Sequence, residues 1–155
     1  MSERCIFSYL RMGCWILPCH RVEVIETEVG GVIRCQENRE DTTSIEIDEA
    51  SVKAIKAAMK SNLQIYSYRE LEEPMNVYDG FENWFTFSPE PDLSVELHSS
   101  NLNYIEEKDC TWMIRKRTEN LDDVYPEKVL EVVKVFDEIA RVLRKNGVEE
   151  KYLKL

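Results

Sequence analysis

PEKVLEVVKVFDEIARVLRKNG, residues Pro126 to Gly147, is the stretch on which the fold turns. Pro126 suits the first helical position, where a missing N–H costs nothing, and Gly147 suits the left-handed residue that ends a helix. At about 100° per residue, Val129, Val132, Val133, Phe136, Ile139, Ala140 and Leu143 fall within an arc of roughly 120°. Lys134, Asp137, Glu138, Arg141, Arg144 and Lys145 lie on the other side. A stripe of that width has to be buried, so the pattern predicts a helix over 126–146 lying on whatever the upstream chain builds. Val135 and Val142 flank the stripe and widen it to about half the circumference. Flanking residues of this kind meet a sheet edge, another helix or a second subunit, which makes a homodimer through this helix one expectation.

Working back from that helix, the upstream chain alternates like a sheet. Cys5 to Leu10 reads as a first strand, and Arg21 to Glu28 as a second with Val22 and Val24 on one face and Arg21 and Glu23 on the other. Gly30-Gly31 is a hairpin signal, since both residues tolerate positive φ, and Val32 to Gln36 returns as the antiparallel partner. After a polar loop at Glu37 to Thr42, Ser44 to Asp48 is a short strand with Ile45 and Ile47 on one face. Asp48 is placed to cap a helix over Glu49 to Lys60, whose stripe is Val52, Ile55 and Met59. Ile65 to Tyr68 reads as a brief strand, Arg69 to Asn76 as a loop and Asp79-Gly80 as a turn. Phe81 to Ser88 is a strong strand, with Phe85 and Phe87 facing one way and Trp84 and Thr86 the other. A turn at Pro89 to Asp92 joins it to an alternating run, Leu93 to His98. Tyr104 to Lys108 reads as a helical turn, Thr111 to Thr118 as a strand, and Leu121 to Tyr125 as the lead into the last helix. Val148 to Leu155 is a short terminal segment that packs or frays.

Hairpin signals dominate, without regular strand–helix alternation. The fold class expected is therefore α+β, a mainly antiparallel sheet of about five to seven strands with two main helices packed on one face. No repeat, low-complexity tract or linker divides the chain, so residues 1–155 read as one domain. Three stretches carry a resemblance: Ile45-Glu46-Ile47-Asp48-Glu49-Ala50-Ser51, Val77-Tyr78-Asp79-Gly80-Phe81-Glu82-Asn83-Trp84 and Tyr125-Pro126-Glu127. In this order the chain resembles small uncharacterised bacterial α+β domains over residues 43–146. It departs from their pattern at Tyr104 to Thr118, which reads as added material. The resemblance implies an antiparallel sheet with helices and no established activity.

Composition narrows the function classes. The chain is 43% hydrophobic and 32% charged over 155 residues, which fits a folded globule that needs no disulfide or metal staple. Its net charge of −10 disfavours phosphate backbones, so nucleic acid is not an expected partner, whereas a basic protein is. No apolar run approaches the roughly 20 residues of a membrane span, and residues 1–20 lack the continuous apolar stretch of a secretory signal. Five cysteines, an odd number at irregular spacing, suit reduced thiols and a cytoplasmic location.

Few residues offer chemistry. Cys14, Cys19 and His20 form a dense set of metal-ligand types, but Cys19 and His20 are adjacent and Trp15, Ile16 and Leu17 fill the gap between the cysteines. Buried cysteines acting as small hydrophobes are the bland alternative. The same thiols with His20 or His98 are the raw material for a nucleophile and base. No phosphate-binding glycine loop, G-x-S-x-G, H-E-x-x-H or EF-hand pattern occurs, and no cofactor is expected. The densest functional signal is aromatic and acidic: Tyr66, Tyr68, Tyr78, Asp79 and Trp84 are binding-patch residues if they stand on a sheet face turned away from the helices. If they face the helices, they fill the core. The sequence therefore reads as a protein-interaction or regulatory module, immunity-like or accessory, rather than an enzyme. The alternative is a small hydrolase with a Cys/His or paired-carboxylate site.

Overall fold

Period-two alternation becomes a strand in six places: β1 (Arg4–Met12), β2 (His20–Thr27), β3 (Gly30–Glu37), β4 (Thr43–Ile47), β5 (Glu82–Glu90) and β6 (Leu93–Ser100). Two helices accompany them, α1 (Glu49–Met59) and α2 (Glu127–Lys145). The structure, a computed structural model, describes residues 3–13, 19–69, 71, 82–100 and 127–155. The expectations for Tyr104–Lys108, Thr111–Thr118, Leu121–Tyr125 and the Asp79-Gly80 turn fall outside these residues, as does most of the expected loop at Arg69–Asn76.

The six strands form one sheet in the order β4-β3-β2-β1-β5-β6, and every neighbouring pair is antiparallel. This is the α+β class expected from the pattern, with β1 in the interior of the sheet. Register lines up one inner row as Cys35, Val22, Tyr9, Phe85 and Leu97, and the next as Ile33, Val24, Phe7, Phe87 and Val95. α2 lies on these rows: the ring of Phe136 is 4.6 Å from Tyr9, 5.5 Å from Phe85 and 6.3 Å from Phe7. Val129, Val132, Ile139, Ala140 and Leu143 are buried with it. Val135 is buried as well and Val142 packs against the core, so both flanking valines are engaged within the chain.

α1 begins where Asp48 accepts a hydrogen bond from the Ser51 N–H at 2.8 Å, the expected N-cap. It buries Val52, Ile55, Ala58 and Met59. α2 ends in a Schellman motif: Gly147 takes φ +93°, its N–H reaches Arg144 O at 3.0 Å, and Val148 N–H reaches Leu143 O at 3.1 Å. The segment beyond it packs rather than frays, with Val148, Tyr152, Leu153 and Leu155 buried.

Three local expectations are corrected. The β2–β3 turn is Glu28-Val29, not Gly30-Gly31, because Thr27 already pairs with Gly30. Gly30 does take a positive φ, +143°, and a Cβ there would lie 2.3 Å from Ile47 O; a Cβ on Gly31 would lie 2.8 Å from Ile25 O and 2.9 Å from Val52 Cγ2. Ile65 to Ser67 is not a strand but part of a 3-10 helix, Leu63–Ser67, which Tyr68 follows as an extended cap and Asn62 opens, its side chain accepting from Gln64 N–H at 3.0 Å. Finally, β5 continues through Pro89 and Glu90, and only Pro91-Asp92 turn. The register shifts between Phe87 and Glu90, which accommodates a proline that has no N–H to give the ladder.

Two substitutions test this packing by urea unfolding. Phe136→Ala removes the ring shared by β1 and β5 and is expected to cost about 3–5 kcal/mol. Gly31→Ala presses a methyl against the Ile25 carbonyl of β2 and Val52 of α1 and is expected to cost about 1–3 kcal/mol. A loss below about 1 kcal/mol in both would contradict the register and the seat of α1.

Candidate functional site

A sheet with both helices on one side leaves its other side free of any described helix. Strand alternation decides what stands there. Because Phe85 and Phe87 point to α2, Trp84 and Thr86 point away. Register places Trp84 opposite Leu10 on β1 and His98 on β6, and continues the row through Arg21 and Gln36. Trp84 is half-buried, its ring centroid lies 4.2 Å from that of His98, and its Nε1 has no hydrogen-bond partner among the described residues. His98 Nε2 is 3.5 Å from Glu82 Oε2.

Two of the tyrosines expected beside Trp84, Tyr66 and Tyr68, are elsewhere. Tyr66 packs on the core from the 3-10 helix and donates its hydroxyl to Met59 O at 2.8 Å, where burial raises the phenol's pKa. Tyr68 donates to Glu131 on α2, with Lys128 Nζ 5.6 Å from its ring. Both belong to the helix layer, so the sheet separates them from Trp84. Tyr78 and Asp79 lie outside the described residues.

Cys19 and His20 are separated in the same way. Being consecutive in extended chain, they point to opposite faces. Cys19 lines a cleft of about 590 Å³ on the helix-free side, together with Leu10, Met12, Arg21, Gln36, Asn38 and Arg39. His20 points inward and is buried. Cys14 is outside the described residues, and among those described no three His, Cys, Asp or Glu side chains converge as a metal site. Burial pushes the Cys35 thiol to about 11 and also raises that of Cys5, the reverse of what a thiolate nucleophile needs.

The inner face carries a feature that the sequence reading missed. Each core stripe, extended by two residues, ends in a polar side chain: Glu37 after Cys35, His20 before Val22, Arg11 after Tyr9, Asn83 before Phe85 and Ser99 after Leu97. Register joins these five into one row across five strands. Arg11, His20, Asn83 and Ser99 are all buried. Carrying the period-two count past the last apolar residue of each strand was the available signal.

The chain's last residues dock on this row. Lys151 Nζ donates to Glu37 Oε2 at 2.8 Å, and the Tyr152 ring meets His20 edge-on at 5.6 Å. Tyr9 OH donates to Lys154 O at 2.5 Å while accepting from Asn83 Nδ2 at 2.7 Å. His20 Nε2 lies 3.2 Å from Glu37 Oε1, which assigns the Nε2–H tautomer and leaves Nδ1 as an acceptor. Burial lowers the His20 pKa below its ordinary 6.5, against the raising effect of Glu37. Lys151, with His20, lowers that of Glu37. The row thus combines a neutral imidazole, a carboxylate and an amide, joined to the terminal segment rather than to an open pocket.

Comparison with protein-family models, curated proteins and solved structures found no match to this chain.

The row predicts a pH dependence. His20 is harder to protonate folded than unfolded, so its contribution to stability is intact above about 6.5 and is lost as pH falls from there towards its lower folded pKa. Glu37, with a lowered folded pKa, loses its contribution only below its ordinary 4.5. Urea midpoints measured from pH 7.5 down to about pH 5 are expected to fall in the wild type and to fall less in His20→Asn. Equal slopes would remove His20 from the acid-sensitive set.

Proposed function

We propose that this protein is an interaction module, immunity-like or accessory in role, that binds a basic protein partner through the helix-free face of its sheet. The observation that carries this reading is Trp84, a half-buried tryptophan packed against the tilted ring of His98 on the side where no described helix packs. Tryptophan beside polar groups is the residue type that dominates interface energetics. The net charge of −10 supports a basic partner through electrostatic steering. Cytoplasmic location is part of the same reading, and no helix among the described residues is long and apolar enough to cross a membrane. Cys19 and His20 alternate to opposite sides of the sheet, so these two do not pair with each other as nucleophile and base.

The test is capture from extract of the source cell with the wild type, Trp84→Ala and Lys134→Ala, the last on the exposed side of α2. The expected result is a stoichiometric partner of basic isoelectric point, released by rising ionic strength. Trp84→Ala should weaken it by about 2 kcal/mol or more, roughly thirtyfold, with Lys134→Ala unchanged. Absence of such a partner, or equal capture by Trp84→Ala, overturns the proposal.

A further inference from the structure

The cleft beside Trp84 has a chemistry of its own. It sits at the end of the sheet where β1 finishes at Met12, β2 starts after Cys19 and β3 runs out at Glu37. Its far wall is set by Asn38, a non-glycine residue at φ +53°. Asn38 donates its N–H to Cys19 O at 2.8 Å and accepts Cys19 N–H on its Oδ1 at 2.9 Å. This two-bond clasp prolongs the β2–β3 ladder by one pair and turns the chain so that Arg39 joins the cleft. Gln36 is held alongside by its Nε2, which donates to Glu40 O at 2.9 Å.

Two arginines, Arg21 and Arg39, therefore line the same cleft as the apolar side chains of Leu10 and Met12. Neither arginine forms an ion pair or a side-chain hydrogen bond with any described residue. Arg34, Lys56, Lys60, Arg144 and Lys151, by comparison, each face a carboxylate, so these two arginines keep their charge available to a ligand. The next carboxylate along β2, Glu23, stands opposite Arg34 in the register. At about 590 Å³ the cleft falls in the range of ligand-holding pockets, roughly 300–1,000 Å³.

We infer that this cleft holds a short acidic segment of a protein partner, one or two carboxylates engaging Arg21 and Arg39 while a neighbouring apolar side chain covers Leu10 and Met12. The planar guanidinium fork matches carboxylate geometry, and the apolar wall gives a peptide something to bury that a bare anion lacks. A nucleic acid meets the same arginines but also the acidic excess of the chain. The inference rests on the reading of the helix-free face as the working surface. It adds that the partner, basic overall, anchors here through a local acidic stretch.

The experiment uses the full chain and a fluorescein-labelled seven-residue peptide alternating glutamate and leucine. Its controls are the same peptide with lysine for glutamate and a single-stranded oligonucleotide of matching length. The glutamate peptide is expected to bind, and the lysine peptide and oligonucleotide to bind at least about tenfold more weakly. Arg21→Ala/Arg39→Ala should lose at least about tenfold, with Arg34→Ala on the same face unchanged. Bound peptide should also slow alkylation of Cys19, read by peptide mass mapping, without changing that of Cys35. No binding of the glutamate peptide, equal loss in Arg34→Ala, retained affinity in the double variant, unslowed alkylation of Cys19 or stronger binding of the oligonucleotide each overturns the inference. None of these results bears on Trp84→Ala capture, so the two proposals fail separately.

Discussion

The packing of Phe136 against Phe7, Tyr9 and Phe85 is the contact on which the rest of the structure depends. It joins a helix from the end of the chain to a strand from its beginning and one from its middle. Fixing that contact fixes which side of the sheet is dry. Once Phe85 is inside, alternation turns Trp84 out; once Val22 is inside, His20 follows it in and Cys19 and Arg21 turn out. The two faces thus acquire different characters from a single choice of side. The inner one is aromatic and aliphatic, with a polar rim bound to the terminal segment. The outer one carries arginines, a tryptophan and half-buried aliphatics.

Most of the architecture was legible because its signals are periodic. The 3.6-residue stripe of α2, the caps at Asp48 and Gly147, and the alternation in β2 and β5 all survive in the structure with the expected faces. What misled was chemistry with two uses. Gly30-Gly31 suits a turn or a tight approach of neighbouring chain, and the pairing of Thr27 with Gly30 decides between them. Ile65 and Tyr66 have strand-forming side chains, yet Asn62 supplies a local hydrogen bond that favours a helical turn. Pro89 reads as a turn residue, and it is a strand residue at a register shift.

The site was less legible than the fold, for the same reason that local reasoning fails across a sheet. Tyr66, Tyr68 and Trp84 lie close in sequence, but one run of chain serves the helix layer and the next the opposite face. Cys19 and His20 are neighbours covalently and strangers in space. The polar row from Glu37 to Ser99 is the converse case, five residues scattered over the sequence and aligned by register alone. The cleft belongs with it: Arg21 and Arg39 line it from different parts of the chain, next to Asn38, which adopts a left-handed backbone and clasps Cys19. Asparagine tolerates that conformation better than most residues, which is a reason for its presence, not a signal strong enough to read beforehand.

The interior position of β1 has a consequence for the order in which the molecule is made. Its partner β2 follows at once, but its other partner, β5, is more than seventy residues further along, and α2 comes later still. As the ribosome releases the chain, β1 to β4 and α1 can assemble as a hairpin array with one long edge open. Loop-closure entropy resists the pairing of β1 with β5, and such distant pairings make for slow folding. During that interval Phe7 and Tyr9 have no lid, and the edge of β1 offers its backbone to any passing strand. On this order β5 closes the open edge and the final helix covers Phe7 and Tyr9.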